Sequence, residues 1–134
     1  MTYVGFTGSR AGMTPAQKNC VAHLLAELQP KQIRHGDALG SDADLHQLAR
    51  ATSAEVIIHP PDDGKDRANC SGDRVMPAKP YLVRNKDIVG ACTVLIATPD
   101  SAKEKLRSGT WSTIRYARQS GRRAIVVLPD GSQA

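Results

Sequence analysis

Aromatic residues are scarce: one Trp, one Phe and three Tyr make up 4% of 134 residues. A core must therefore rest on Val, Ile, Leu and Ala, and a surface that grips single strands by stacking bases is short of platforms. The three cysteines, Cys20, Cys70 and Cys92, are odd in number and form no CxxC pair. That excludes a disulfide framework and the spacings of a zinc site. No His/Cys/Asp cluster has metal-ligand spacing either, so neither metal nor cofactor is expected. No apolar run approaches a membrane span. The segment Met1-Thr2-Tyr3-Val4 lacks the basic stretch and apolar block of a signal peptide, so a cytoplasmic protein with no membrane partner is expected. There is no Walker P-loop, and Gly8-Ser9-Arg10-Ala11-Gly12 is not GxGxxG. Internal repeats and low-complexity segments are absent.

What remains is 40% hydrophobic and 23% charged, the balance of a soluble globular protein, and 134 residues suit one domain (1–134) with one core. The net charge of +5 serves solubility or draws phosphates and polyanions; the basic residues are scattered rather than gathered into a tract.

Apolar runs alternate with helical periodicity, the signature of a parallel sheet with crossover helices. Thr2 to Thr7 reads as the first strand. Thr14-Pro15 opens a helix to Leu28, with Val21, Leu24, Leu25 and Leu28 on one face. Gln32 to His35 is a second strand, Ser41 or Asp42 caps a helix to about Thr52, and Glu55 to His59 is a third strand. A long polar loop, 60–80, follows; loops of this length are functional or disordered. Tyr81 to Val89 is helical, Thr93 to Ala97 is a strand apolar enough to be buried on both faces, and 100–107 is a charged insertion. Gly109 to Gln119 is the next helix, Gly121 its cap, Ala124 to Leu128 the fifth strand, and 130–134 a frayed tail. The expected fold is α/β: a single Rossmann-like domain, with a mostly parallel five-strand sheet and helices on both faces.

Such sheets bind ligands beyond the carboxyl ends of their strands. That edge collects Gly8, Ser9 and Arg10 after strand one, and Gly36, Asp37, Gly40, Ser41 and Asp42 after strand two. Ser108, Gly109 and Thr110 open the last helix at the same edge. Glycines let backbone approach a phosphate, free helix-terminal N–H groups point at it, hydroxyls add donors and Arg10 adds a bidentate charge. Asp42 serves equally as a helix cap, and Trp111 either stacks on a base or packs against the sheet. His46, one turn into its helix, reads as packing or surface more readily than as a catalyst.

Gly8-Ser9-Arg10, then His35-Gly36-Asp37-Ala38-Leu39-Gly40-Ser41-Asp42, Arg84-Asn85-Lys86-Asp87-Ile88-Val89, Leu95-Ile96-Ala97 and Ser108-Gly109-Thr110-Trp111 follow in an order that resembles the SLOG superfamily. That group joins the domain of DNA-processing protein A to the Lonely-guy phosphoribohydrolases and to small nucleotide-binding proteins. The resemblance runs from Val4 to Leu128. Asp42 and His46 look like the Asp and His of DNA-processing protein A. Arg84 through Pro99 is similar to the Lonely-guy stretch in which an Arg begins a helix that leads to a strand ending in Pro, and it implies a ligand role for Arg84 and its neighbour Asn85. The insertion then separates Pro99 from Ser108-Gly109-Thr110, and Thr113 stands where those enzymes carry a glutamate.

Threonine cannot stabilise an oxocarbenium-like centre. The expectation is therefore a protein that binds a nucleotide or nucleotide-derived, phosphate-bearing ligand without necessarily turning it over. The alternatives are a nucleotide N-glycosidase using Asp42 or Glu104, and single-stranded nucleic-acid binding like that of DNA-processing protein A. The resemblance also implies a homodimer.

Overall fold

A computed structural model describes all residues, 1–134. Its six strands are β1 (Tyr3–Gly8), β2 (Gln32–His35), β3 (Glu55–Ile58), β4 (Arg74–Val75), β5 (Val94–Thr98) and β6 (Arg123–Val126); its helices are α1 (Pro15–Leu28), α2 (Ser41–Arg50), α3 (Tyr81–Ala91) and α4 (Gly109–Gln119). They form one sheet in the order β4-β3-β2-β1-β5-β6, and every ladder is parallel.

β5 shows why the layers form. All five of its residues are buried, and side chains alternate between faces with period two. Val94 and Ile96 join Val4, Phe6 and Ile33 under Val21, Leu24 and Leu25 of α1 and Leu45 of α2. Leu95 packs with Val89 of α3 and Ala117 of α4, and Ala97 with Trp111 and Ile114 of α4. Helices therefore cover both faces. Gly5 on β1 is what lets α3 lie close: a Cβ there would sit 2.9 Å from Ile88 Cγ2.

The chain winds outward from β1 to β4 and then returns across the sheet to β5. Strand order thus reverses between β1 and β5, where a crevice opens at the carboxyl edge. α1 starts as expected, with Pro15 behind a Thr14–Gln17 capping box. The Gln17 side chain is buried; its amide donates to Pro99 O (2.8 Å) and Val127 O (2.9 Å), bracing the ends of β5 and β6.

Two expectations are corrected. The sheet has six strands, not five, because β4 lies inside the 60–80 segment. β4 is two exposed residues on an edge, too short to show an alternating pattern. The tail is not frayed: Gly131 turns it at φ 87, Leu128 N–H donates to Ser132 O (2.8 Å) and Ala134 N–H to Val126 O (2.9 Å). No helix is long and apolar enough to cross a membrane.

Candidate functional site

The crevice floor is built by close backbone approach. A Cβ at Gly8 would lie 2.4 Å from Ser41 Cβ and Thr98 Oγ1, so only glycine lets the start of α2 and the end of β5 converge on β1. Gly40 sits at φ 87 against the Arg10 backbone, and Ser41 N–H donates to Ser9 O (3.0 Å). Above this floor is a cavity of about 600 Å³, lined mostly by polar and charged residues and glycines.

Of the residues expected at the site, Gly8, Ser9, Arg10, Gly36, Asp42, Arg84, Asn85, Ser108, Gly109 and Thr110 line this cavity; Asp37, Gly40 and Ser41 do not. Gly40 and Ser41 belong to the floor. Asp37 is fully buried and turned away: its carboxylate accepts from Arg67 Nε (2.7 Å) and Cys70 N–H (2.8 Å), fastening the 60–80 segment to the sheet. Burial pushes its pKa up, but these hydrogen bonds outweigh that and the net shift is downward.

Arg84 is the buried cation of the site, 7% exposed. Its Nη1 donates to Gly36 O and to His59 O (3.2 Å), and its Nε to Asn85 Oδ1 (2.7 Å). Nη2 has no protein partner, and the residue lines the cavity. Gly36 is required beneath it, because a Cβ there would fall 2.2 Å from Nη1. Arg10, by contrast, is an exposed rim residue already paired with Asp66 (2.8 Å). Asp42 accepts the Ala38 N–H (3.1 Å) and forms no ion pair with Arg84. Burial pushes its carboxyl up to about 6, against the hydrogen bond from Ala38 and the Arg84 charge.

At the start of α4 the Ser108 side chain accepts from Trp111 N–H (3.2 Å), leaving the Gly109 and Thr110 N–H groups without protein partners beside the cavity. Two such donors at a helix N-terminus suit an anion. Thr113 accepts from Asn85 Nδ2 (3.1 Å) and donates to Gly109 O (2.9 Å), so it ties α3 to α4 and brings no acid. Glu104 also leaves the site: it is paired with Arg115 (2.7 Å) outside the cavity lining. Trp111 packs as core, 4% exposed, and its Nε1 donates to Ser101 Oγ (3.3 Å), pinning the 100–107 segment.

Sequence reasoning missed Tyr81 and the acidic rim of Asp62, Asp63 and Asp66, all of which line the cavity. Tyr81 opens a helix at the carboxyl edge, the same signal that selected Ser108.

His35, His46 and Cys70 place ligand-capable atoms within 4.8 Å of one another. They are not set for a metal. His35 Nδ1 accepts the Asp37 N–H (2.9 Å), so the single proton of the neutral ring is on Nε2, aimed at His46 Nδ1 (2.9 Å). Burial and the neighbouring Asp37 push the Cys70 thiol to about 12, away from thiolate. The two rings are hydrogen-bonded to each other, edge to face (84°).

No protein-family model and no curated protein sequence matches the chain. Solved structures do. The molybdenum cofactor binding protein from the phototrophic bacterium Rippkaea orientalis superposes with a TM-score of 0.73 at 18% identity, over 95% of this chain and 76% of that one. The structural-genomics target TM1055 gives 0.66 at 17%, over 92% and 72%. DNA processing protein A from Streptococcus pneumoniae gives 0.67 at 24%, over 94% of this chain and 50% of that one. The chain shares the Rossmann-type α/β fold of these structures. At these identities the likeness carries the fold alone, and the chain spans only half the length of the Streptococcus protein.

Proposed function

We propose that the chain binds a nucleotide or nucleotide-derived ligand, with its phosphate against the free N–H groups of α4 and the Nη2 of Arg84. The observation that carries this reading is Arg84: a buried guanidinium held by carbonyls, with one nitrogen unpartnered at a cavity of about 600 Å³, the size of a small-ligand site. Arg107 adds positive charge to the lining, while Lys105 is paired with Asp100 (3.3 Å), itself a lining residue. One structural neighbour is named for binding a cofactor and another for processing DNA, which makes a small molecule or a nucleic acid a reasonable partner. The acidic rim of Asp62, Asp63 and Asp66 opposes a polyanion and favours the small molecule. Calorimetry with nucleoside monophosphates tests the reading. Arg84→Ala should abolish binding while the melting temperature stays high enough for a folded protein; undiminished affinity would refute it.

A second reading, N-glycosidic hydrolysis, is favoured by Asp42 alone, a cavity carboxyl held near about 6 where it can give or take a proton at neutral pH. Release of free base that is abolished by Asp42→Asn would establish it. Homodimerisation belongs with the proposal: α3 exposes Leu82 and Val83, and sedimentation at micromolar concentration reads the state.

A further inference from the structure

Both signs of charge line the cavity. Arg107 and the free N–H groups of α4 lie next to each other in the chain, Lys105 is paired with Asp100 (3.3 Å), and the segment after β3 contributes Asp62 and Asp63. Of the acidic groups, Asp66 is taken by Arg10 and one oxygen of Asp63 by the Lys65 N–H (3.0 Å), while the Asp62 carboxylate has no protein partner. Tyr81 is a further lining residue. Its Cε2 is 3.7 Å from the Cβ position of Gly109, at the start of α4. Behind it, Asp62 N–H donates to Lys79 O (2.9 Å), which fixes the acidic segment just before the tyrosine. Tyr81 is 53% exposed, whereas Phe6, the other aromatic of the lining, is 1% exposed, so Tyr81 offers the cavity's open ring face.

We propose that the site selects phosphate monoesters whose planar ring carries an exocyclic amine, the ring stacking on Tyr81 and the amine donating to Asp62 and Asp63. This rests on the nucleotide reading above and names the ligand class for it. Phosphate at the start of α4 places the rest of a nucleotide next to Tyr81, because the two positions are in contact. A planar base gains from the ring face whatever its identity. Discrimination comes from the far edge: a carboxylate accepts and does not donate, so it pairs with an amine and repels an oxo group. The buried Arg84, whose Nη2 has no protein partner, and Asp42, 6% exposed, both line the cavity and make the remaining wall a built polar surface rather than a surface cleft.

The test is titration of the full chain with ribose 5-phosphate, AMP, IMP, CMP and UMP, comparing the unmodified protein with Asp62→Asn/Asp63→Asn and Tyr81→Leu. AMP and CMP should bind roughly tenfold tighter than IMP and UMP. The double Asn variant should bring each pair to within about twofold, with ribose 5-phosphate binding unchanged. Tyr81→Leu should weaken all four nucleotides about tenfold and leave ribose 5-phosphate unaffected. Melting curves of each variant confirm folding. Equal affinity for AMP and IMP in the unmodified protein overturns the amine selection and leaves the nucleotide reading standing. Binding of ribose 5-phosphate without any nucleotide overturns the ring site. Failure of every probe with folded protein overturns the nucleotide reading and this inference together.

Discussion

Lowering the pH from 7 to 5 should destabilise the fold, in comparable parts through the buried imidazoles of His35 and His59. His35 is buried between an N–H donor and a second imidazole, and burial with the nearby His46 lowers its pKa from 6.5 to about 3. The folded state refuses a proton that the unfolded chain accepts, so stability is full above pH 6.5 and is lost as pH falls toward 3. For those two values the loss between pH 7 and 5 is about 2 kcal/mol, approaching ~5 kcal/mol below pH 3. His59, lowered to about 4 by burial and Arg34, adds loss of the same sign. Asp42 works against both. Its folded pKa of about 6 exceeds 3.8, so its cost is present above pH 6 and relieved as pH falls, returning about 1 kcal/mol by pH 5. Urea melts at the two pH values, followed by fluorescence of the single buried Trp111, read the balance. His35→Leu leaves the Asp37 N–H without an acceptor and should cost ~1–3 kcal/mol at pH 7. It should also remove about 2 kcal/mol of the pH 7-to-5 loss. An unmodified protein whose midpoint does not move, or a His35→Leu variant that keeps the full pH slope, would refute the reasoning.

Asp42→Asn keeps an acceptor for the Ala38 N–H and removes a buried charge, so it should stabilise the protein by ~1–3 kcal/mol at pH 8, the gain vanishing near pH 4 in paired urea melts. Gly36→Ala should displace the Arg84 guanidinium, weakening nucleotide binding at least tenfold in calorimetry with a loss of ~1–3 kcal/mol in stability. Asp37→Ala strands Arg67 and the Cys70 N–H, and limited proteolysis should then cut within residues 60–80 at a rate well above that of the unmodified protein. Arg10→Ala should cost less than 1 kcal/mol in ligand binding, because its guanidinium is exposed and already engaged by Asp66.

The sheet was legible where burial is two-sided or capping is explicit. Val94 to Ala97 is an apolar run, and Thr14-Pro15 with Gln17 is a complete helix start, so both appear in the sequence at nearly their observed bounds. β4 was not legible, because Arg74 and Val75 join the sheet by backbone pairing on an exposed edge, which leaves no hydrophobic pattern. The tail was misread for a similar reason: Ser132 and Ala134 are held by backbone hydrogen bonds that any residue can make. At the site, the carboxyl-edge rule collected the right turns but could not say which way each side chain faces. Asp37 and Asp42 lie five positions apart in one turn, yet one fastens a loop and the other faces the cavity. Its place in the first βα turn makes Arg10 the expected phosphate ligand, and only burial and partners single out Arg84 as the cation held at the cavity. Tyr81 carries the helix-start signal of Ser108, but an aromatic side chain there reads as packing rather than as a phosphate donor.

The hold on Arg84 bears on the thermodynamics of recognition. A free arginine side chain loses about 2 kcal/mol of rotamer entropy when it is fixed. Here Gly36 O, His59 O and Asn85 Oδ1 have fixed the guanidinium during folding, so a ligand meets a cation that is already oriented. Association then carries no entropic penalty for this side chain, and the encounter complex can dock without waiting for a rearrangement. Binding should accordingly be fast and single-phase in stopped-flow, with the Arg84 contribution appearing in the residence time of the ligand.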